Sequence, residues 1–422
     1  MADSQHSPLS RPRATNTWYY GWVIVSICTA TVFVVTGTKG SIGALFKDMQ
    51  KDLGWNRGTT AGASAINTLA WGLTLPLVGP LVDRYGAKRV MVTSILLMIV
   101  GVVPMFWVKS LWTLYLFFGI LPGAAIAGST IVPAASLIGR WFHNRAGFAS
   151  GIVSAALPLG WAVFTPITAL LVPHLGWRIS YILLSASLLL ILPLTQLFLR
   201  DEPTASEVLE TERSSKTLPS SFGSRMTLRE VIATPLFRLL LLSQVSCGIV
   251  DHAVSVHFIP FVSDKGQTEV FAAMLLSASH LAAVAGSIAS GWMCDRYNRK
   301  SILCLMHGLR AISLPMLILF GLTGNLAWLF LFTPLYGATM MMGFPPTSTL
   351  VVRVFGHRSV GTVYGTLQVT HQLGMAAGAY FTGLIFDVAG SYYPVFVIAT
   401  GIAAFAMISM PRIKETSVSE RS

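Results

Sequence analysis

Long apolar runs separated by short polar segments are the dominant pattern of this chain. Twelve runs are each long enough to supply the about 20 residues with which an α-helix crosses a bilayer. In the first half they are approximately Tyr20 to Phe46, Thr59 to Tyr85, Val90 to Val108, Leu111 to Gly139, Gly147 to Leu171 and Trp177 to Leu199. In the second half they are Leu236 to Val262, Val270 to Cys294, Ser301 to Leu322, Leu326 to Val352, Gly361 to Phe386 and Tyr393 to Met410. Because the bilayer core offers a backbone no hydrogen-bond partner, such runs form helices. The pattern predicts an all-α membrane protein with transmembrane helices 1 to 12.

Polar segments divide these helices into two groups of six. The stretch from Arg200 to Pro235 is rich in Ser, Thr, Glu and Arg and has no apolar period, which is typical of a solvated linker. The predicted order is a cytoplasmic N-terminal tail at 1–18, a six-helix bundle at 19–199, a cytoplasmic linker at 200–235, a second six-helix bundle at 236–410 and a cytoplasmic tail at 411–422.

Two phrases recur once in each half. Gly79-Pro-Leu-Val-Asp83-Arg-Tyr is echoed by Gly291-Trp-Met-Cys-Asp295-Arg-Tyr, and Arg140-Trp-Phe is echoed by Arg353-Val-Phe at nearly the same separation. The chain is therefore an internal duplication of six helices. Two such halves suit a transporter, since a substrate site between them is opened to either side when the halves rock.

Composition and charge agree with a membrane location. With 53% hydrophobic residues, 11% charged residues and a mean hydropathy of +0.66, a soluble fold could not cover its surface with polar groups. Most of the 29 Lys and Arg residues fall on the side that carries both termini. The positive-inside rule then places the termini in the cytoplasm, in a plasma or bacterial inner membrane. The net charge of +12 reflects this topology and contact with the lipid bilayer, so we expect no nucleic-acid partner.

No catalytic constellation accompanies the helices. The four cysteines have no metal-ligand or disulfide-framework spacing, and nothing resembles a nucleotide-binding loop. We therefore expect no enzyme activity, no cofactor and no metal, and we expect a single copy of the chain to function as a monomer. A membrane-embedded enzyme or receptor is the disfavoured reading.

The segment from Gly79 to Arg89 resembles the loop between helices 2 and 3 of the major facilitator superfamily. Tyr19-Tyr-Gly-Trp22 before helix 1, Arg140-Trp-Phe, and Gly176-Trp-Arg178 are similar to the monocarboxylate and oxalate/formate porter branch. The resemblance covers nearly the whole chain and implies the twelve-helix fold of that superfamily.

The resemblance also implies a cytoplasmic gate, in which the loop aspartate of one half meets a helix N-terminus of the other. For Asp83 the expected receiving end is Gly361, where the positive end of the helix dipole favours a carboxylate. The gate candidates are Asp83, Arg84, Arg89, Arg140, Asp295 and Arg296. The alternative is that the arginines of this loop only enforce topology.

Polar residues inside the helices are the candidates for substrate binding, because a charge in the hydrocarbon is costly and tends to face a cavity. Lys39 resembles the helix 1 lysine that faces the substrate path in monocarboxylate transporters; the alternative is a lysine snorkelling to the interface. The other candidates are Asn67, Trp71, Tyr364, Gln368, His371 and Gln372, each of which could instead form an interhelical hydrogen bond. Asp251 or His252 could carry a coupling proton. Arg310 lies in helix 9, which is peripheral in the family, so we assign it a structural role.

Helix 8 departs from the porter branch. That branch places an arginine in helix 8, commonly with an aspartate one turn earlier, whereas this chain has Ala283 and Ser287 at those positions. Two functions therefore stay open. The leading one is a secondary transporter of a small organic anion, with a carboxylate as the favoured substrate. Such a transporter would be coupled to protons or would work by exchange. The alternative is an exporter of amphipathic compounds or drugs, which fits the missing arginine and the many aromatic residues.

Overall fold

A computed structural model describes residues 20–55, 57–142, 145–203, 228–356 and 360–413. The predicted N-terminal tail at 1–18, most of the predicted linker and nearly all of the predicted C-terminal tail lie outside these ranges.

Six helices are described in the first half. The first four are α1 (Gly21–Leu53), α2 (Arg57–Tyr85), α3 (Ala87–Val102) and α4 (Leu111–Trp141). The helical run Ala146–Ser185 contains α5 and the start of α6, and α6 continues as Ser187–Phe198. The run divides at Gly176, whose φ of 73° lies in the left-handed region that glycine tolerates. A π-helical stretch, Tyr115–Ile120, lies inside α4.

The second half repeats this order. Its helices are α7 (Pro235–Asp264), α8 (Glu269–Cys294), α9 (Arg299–Thr323), α10 (Ala327–Met340 and Phe344–Phe355), α11 (Val360–Ala389) and α12 (Tyr393–Ser409). The threonines at 234 and 268 cap α7 and α8, because each hydroxyl accepts a hydrogen bond from a backbone N–H of the first turn at 3.2 Å.

A short helix, Leu228–Ala233, precedes α7 within the segment expected to be a solvated linker. Val231 gives this helix its anchor, since it is buried in the same apolar cluster as Phe237 and Leu240 of α7.

Eleven helical segments of the described chain are long and apolar enough to cross a membrane. The remaining long helix, α11, has 30 residues and carries Gln368, His371 and Gln372 along an otherwise apolar surface. The predicted fold of two six-helix halves is confirmed. The end that carries Asp83 and Asp295 is called cytoplasmic, as the positive-inside rule predicts.

The two halves pack together through α2 against α11 and α5 against α8. At the cytoplasmic end the apolar core is continuous, with Val82 of α2 and Val363 of α11 in one cluster. Toward the opposite side the core separates into one cluster in the first half, around Phe118, and another in the second half, around Phe332. The cytoplasmic side is therefore closed in this conformation.

Candidate functional site

The cytoplasmic closure centres on Asp83, at the end of α2. Its carboxylate accepts hydrogen bonds from the backbone N–H groups of Gly361, at 3.1 Å, and Thr362, at 2.9 Å. The Thr362 hydroxyl donates a third bond at 2.6 Å. The carboxylate therefore caps the N-terminus of α11, where unpaired N–H groups and the helix dipole favour a negative charge.

Small residues allow this approach. A Cβ atom on Gly79 would lie 2.5 Å from the carbonyl oxygen of Gly361, and a Cβ on Gly361 would lie 2.7 Å from an Asp83 oxygen. Both distances are far inside van der Waals contact, so the closed contact needs glycine at both positions.

Asp295 forms the matching contact in the second copy. Its carboxylate accepts hydrogen bonds from the N–H groups of Gly147, at 2.9 Å, and Phe148, at 3.0 Å, at the N-terminus of α5. Burial raises the pKa of the Asp295 carboxyl, against the opposing effect of these two bonds. About two turns before Asp295 along α8, the Ser287 hydroxyl donates to the Gly151 carbonyl at 2.9 Å. The duplication thus places one carboxylate from each half on a helix N-terminus of the other half.

The gate arginines lie elsewhere. The Arg84 guanidinium lies over its neighbour Tyr85, Arg296 lies 4.1 Å from the Trp292 ring centroid, and Arg89 is exposed. Arg140 pairs with Glu202 in its own half, at 3.8 Å. In these positions the cations border the cytoplasmic surface, and the contact between the halves is formed by the carboxylates.

The second glycine of the motif at Gly79 to Arg89 is required by the local backbone conformation. Gly86 has a φ of 87°, and the carboxylate of Asp201 packs against it while accepting the Lys88 N–H at 3.0 Å. Asn298, at the matching position of the second copy, has a φ of −65°. The second copy therefore does not require glycine there.

Lys39 lies in α1, near the end of the apolar span Gly21–Ser41. Its Nζ atom is 4.4 Å from the centroid of the Trp71 ring in α2, a cation–π contact. Within the described residues no carboxylate pairs with Lys39. Trp161 of α5 packs against Gly40, and its ring centroid is 5.8 Å from that of His280 in α8. Trp71 therefore contacts the lysine directly, and Trp161 contacts the next residue along α1, Gly40.

The two indoles and several other polar groups keep unused hydrogen-bonding capacity. Buried polar atoms without a hydrogen-bond partner among the described residues include Trp71 Nε1, Trp161 Nε1, Tyr364 Oη and Gln372 Oε1. Gln372 also packs against Gly72 of α2, across the boundary between the halves. An unpaired buried polar group costs about 1–3 kcal/mol, so these groups are available to a ligand or to another conformation.

Asn67 has a different surrounding from its neighbour Trp71. Its amide nitrogen donates to the Phe118 carbonyl at 2.8 Å, and the side chain is fully buried. Asn67 thus joins α2 to the π-helical stretch of α4, which is the interhelical bond considered as its alternative role.

Asp251 is the centre of a buried charge network in the second half. One carboxylate oxygen lies 2.8 Å from the Arg310 guanidinium and accepts the Tyr336 hydroxyl at 3.2 Å. The other oxygen lies 3.6 Å from Nε2 of His371. Since these partners come from α9, α10 and α11, the network joins four helices including α7.

The rest of the polar stripe on α11 faces α7 as well. Gln368 accepts a hydrogen bond from the Gln244 amide at 2.8 Å. His252, the second proton candidate, is partly exposed and lies close enough to Lys39 and His371 for their charges to interact. The structure thus brings Lys39, Trp71, His252, His371 and Gln372 to the boundary between the halves.

Sequence reasoning missed several groups. The position of helix 9 predicts a structural role for Arg310 but does not indicate its ion pair with Asp251. One acid and one arginine inside apolar helices of the same half were a signal for that pairing. Thr362, Tyr336 and Trp161 carried no comparable signal, because threonine and aromatic residues are common in membrane helices.

The sequence matches the model of the Major Facilitator Superfamily over residues 27–379 and 268–420. The chain belongs to this superfamily. It is a multi-pass integral membrane transporter and not an enzyme.

Similar proteins agree with the resemblance drawn from the motifs. The uncharacterized MFS-type transporter YcxA of Bacillus subtilis (strain 168) is 22% identical over 332 residues, which is 78% of this chain and 79% of the relative. Monocarboxylate transporter 12-B of Danio rerio is 24% identical over 92% of this chain and 85% of its own length. Monocarboxylate transporter 13 of Bos taurus is 24% identical over 90% of this chain and 86% of its own length.

Solved structures share the fold. The E. coli fucose:proton symporter FucP superposes with a TM-score of 0.71 at 16% identity, over 93% of this chain and 99% of that structure. The proton:xylose symporter XylE superposes with a TM-score of 0.73 at 12% identity, over 95% of this chain and 98% of that structure.

Proposed function

We propose that this transporter carries a small organic anion, with a carboxylate as its charged group, and that Lys39 binds that group. The observation that carries the proposal is the difference between two cations inside the helices. Arg310 is paired with Asp251 at 2.8 Å, whereas Lys39 contacts the ring of Trp71 and has no acidic partner among the described residues. An ammonium group inside a helix bundle is stabilised by a nearby negative charge. The carboxylate of a bound substrate supplies that negative charge.

The absent helix 8 arginine limits how the anion is held. Arg310 does not replace it, because its guanidinium already donates to the carbonyls of Cys247 and Thr339 and to the Thr339 hydroxyl. The proposed site therefore has one cation, and neutral donors complete it. The indole N–H groups of Trp71 and Trp161 are suited to this role, since both lack an acceptor.

Transport by alternating access follows from the paired gate contacts. Asp83 and Asp295 hold the cytoplasmic ends of the two halves together, and breaking both contacts would open the site to the cytoplasm. The free energy for net transport would come from a proton gradient or from exchange. Because one chain contains both halves, we propose that a monomer in the lipid bilayer is the functional unit.

Binding is tested by ligand-dependent thermal stabilisation of the purified protein, with lactate, pyruvate and phenylacetate as probes. A ligand at about 100 times its Kd stabilises the folded state by about 2.7 kcal/mol. A hydrogen bond to a charged group contributes about 1.5–3 kcal/mol, so Lys39→Gln should weaken binding by about 10- to 100-fold. The matched control is Lys109→Gln, since Lys109 is exposed outside the spans. Equal stabilisation of wild type and Lys39→Gln would contradict the role of Lys39.

Export of amphipathic compounds is the second candidate. The aromatic rings of Trp71 beside Lys39 and of Trp161 beside Gly40, together with the missing arginine, favour it. The same thermal measurement with amphipathic cations and neutral drugs separates the two functions. Stabilisation by those compounds, and by no carboxylate, would replace the anion proposal.

A further inference from the structure

We propose that His371 is the site that binds the coupling proton, and that Arg310 is a positioning residue that keeps Asp251 ionised beside it. This inference rests on the proposed anion transport and assigns its coupling to proton symport. It starts from the 3.6 Å distance between Nε2 of His371 and the Asp251 carboxylate. Imidazole is the side chain whose charge ordinarily changes between pH 5 and 8.

The ion pair with Arg310 determines which member of the network titrates. Arg310 is fully buried, lies 2.8 Å from Asp251, and is fixed by three hydrogen bonds to α7 and α10. An arginine stays protonated in proteins, so Asp251 is held as a carboxylate and the pair is neutral. A proton entering the network is therefore carried by the imidazole, and the Asp251 carboxylate stabilises the resulting cation.

The other titratable groups around His371 are already bound or lack this contact. The imidazole of His307 on α9 is fully buried and bonds Ser243 at 2.9 Å. His280 on α8 uses Nδ1 for the carbonyl of Leu276 in its own helix, at 2.8 Å. Tyr336 on α10 donates to Asp251. His252 on α7 lies within electrostatic range of Asp251, His371 and Lys39, and the ammonium of Lys39 on α1 adds a positive charge to this region.

Charge balance links the proton to the substrate. With His371 neutral, the Asp251–Arg310 pair has no net charge, and Lys39 alone attracts an anion. When His371 takes a proton from the outer solution, the region gains one positive charge, which a bound anion offsets. Proton and anion then enter together and leave together to the cytoplasm, so no net charge crosses the membrane.

The same helix carries the proton site and the receiving end of the gate. His371 lies about 15 Å along α11 from Gly361, whose N–H binds Asp83. Gln372, the next residue, packs against Gly72 of α2. A change in the attraction between His371 and Asp251 therefore acts on the helix that closes the cytoplasmic side.

The experiment compares two assays in proteoliposomes with radiolabelled lactate, pyruvate and phenylacetate. Counterflow exchanges labelled for unlabelled substrate without a gradient, whereas accumulation is driven by an imposed pH gradient. We expect His371→Gln to keep counterflow within about twofold of wild type and to lose gradient-driven accumulation. His174→Gln, at an exposed position outside the candidate site, is the matched control and should keep both.

Each other outcome decides against the inference. Accumulation retained by His371→Gln, or lost by His174→Gln as well, would overturn the assignment to His371. Loss of counterflow by His371→Gln would show that the residue is needed for substrate movement itself and would overturn it too. Absence of counterflow in wild type would overturn the anion proposal and this inference with it. This outcome differs from failure of the His371 assignment alone, because it is seen in the unsubstituted protein.

Arg310 is tested by the pH profile. Counterflow of wild type should depend on pH, and His371→Gln should flatten that dependence. Arg310→Lys retains the positive charge but changes its geometry, so we expect counterflow to persist with a displaced profile. An unchanged profile in Arg310→Lys would overturn the positioning role.

Discussion

Asp83 and Thr362 are joined across the two halves by two hydrogen bonds to one carboxylate oxygen, at 2.9 Å from the backbone N–H and 2.6 Å from the hydroxyl. The residues lie far apart in sequence and belong to different six-helix bundles. Asp295 and Gly147 form the matching contact. The cytoplasmic side is therefore closed by two carboxylates, each of which caps a helix N-terminus of the other half.

Removing the charge of Asp83 should loosen this closure. Interaction of a carboxylate with a helix N-terminus contributes about 0.3–1 kcal/mol, and a lost cap costs about 1 kcal/mol, so Asp83→Asn should favour the cytoplasm-open state by about fivefold. Cys294 is buried beside the Asp295 contact and reports opening through its maleimide labelling rate in a variant whose other three cysteines are serine. Asp264→Asn, at an exposed position on the opposite side, is the control. An unchanged labelling rate in Asp83→Asn would remove the gate role.

A methyl group at the glycine crossing should prevent closure. Gly79→Ala places a Cβ 2.5 Å from the Gly361 carbonyl oxygen, where neither backbone can move without separating α2 from α11. We expect transport to fall by at least tenfold, with Cys294 labelled rapidly. Gly401→Ala in α12 is the matched control, because a Cβ there meets open space. Wild-type transport by Gly79→Ala would show that the close approach is not needed.

The buried ion pair between Asp251 and Arg310 should contribute measurably to the thermal stability of the protein. Removing one partner leaves an uncompensated charge and costs about 3–5 kcal/mol, so Asp251→Asn and Arg310→Gln should each lower the thermal unfolding midpoint strongly. The double variant leaves no charge and should lose clearly less than the sum of the two single losses. Additive losses in this double-mutant cycle would mean that the two side chains do not interact.

A pH effect is expected at the opposite side of the membrane. Hydrogen bonds from the Trp177 indole and the Arg178 guanidinium, which belong to the Gly176-Trp-Arg phrase, hold the pKa of Asp52 below its usual value of 3.8. Because the folded-state pKa is the lower one, this stabilisation is present above about pH 4 and is lost as pH falls through the folded-state value. The difference in unfolding midpoint between wild type and Asp52→Asn should therefore be constant from about pH 7 to 5 and narrow below about 4. A difference that grows on acidification would contradict the sign.

The fold and the contact of Asp83 with Gly361 could be predicted from the sequence, because the motifs that indicate them occur in both halves. Twelve apolar runs fix the helices, the duplicated Asp-Arg-Tyr phrase fixes the two halves, and the resemblance to the family supplied Gly361 as the partner of Asp83. The contact itself follows from a helix N-terminus that needs an acceptor.

The interior of the second half was harder to foresee. The pairing of Asp251 with Arg310 depends on how α7 and α9 are rotated, which helical periodicity alone does not give in a helix that is apolar on every side. The same holds for Trp161, whose position follows from the packing of α1 on α5 at Gly40. Asn67 resembles a cavity residue in sequence, yet a bond to the π-helical stretch of α4 occupies its amide nitrogen.

Anion transport at Lys39 is tested by uptake of radiolabelled lactate, pyruvate and phenylacetate into proteoliposomes. We expect saturable uptake by the wild-type protein. We also expect loss of at least nine-tenths of that uptake in Lys39→Gln at equal reconstitution, and no change in Lys109→Gln. Uptake of these carboxylates that is equal in wild type and Lys39→Gln, or absent in both while amphipathic cations are carried, would contradict anion transport at Lys39.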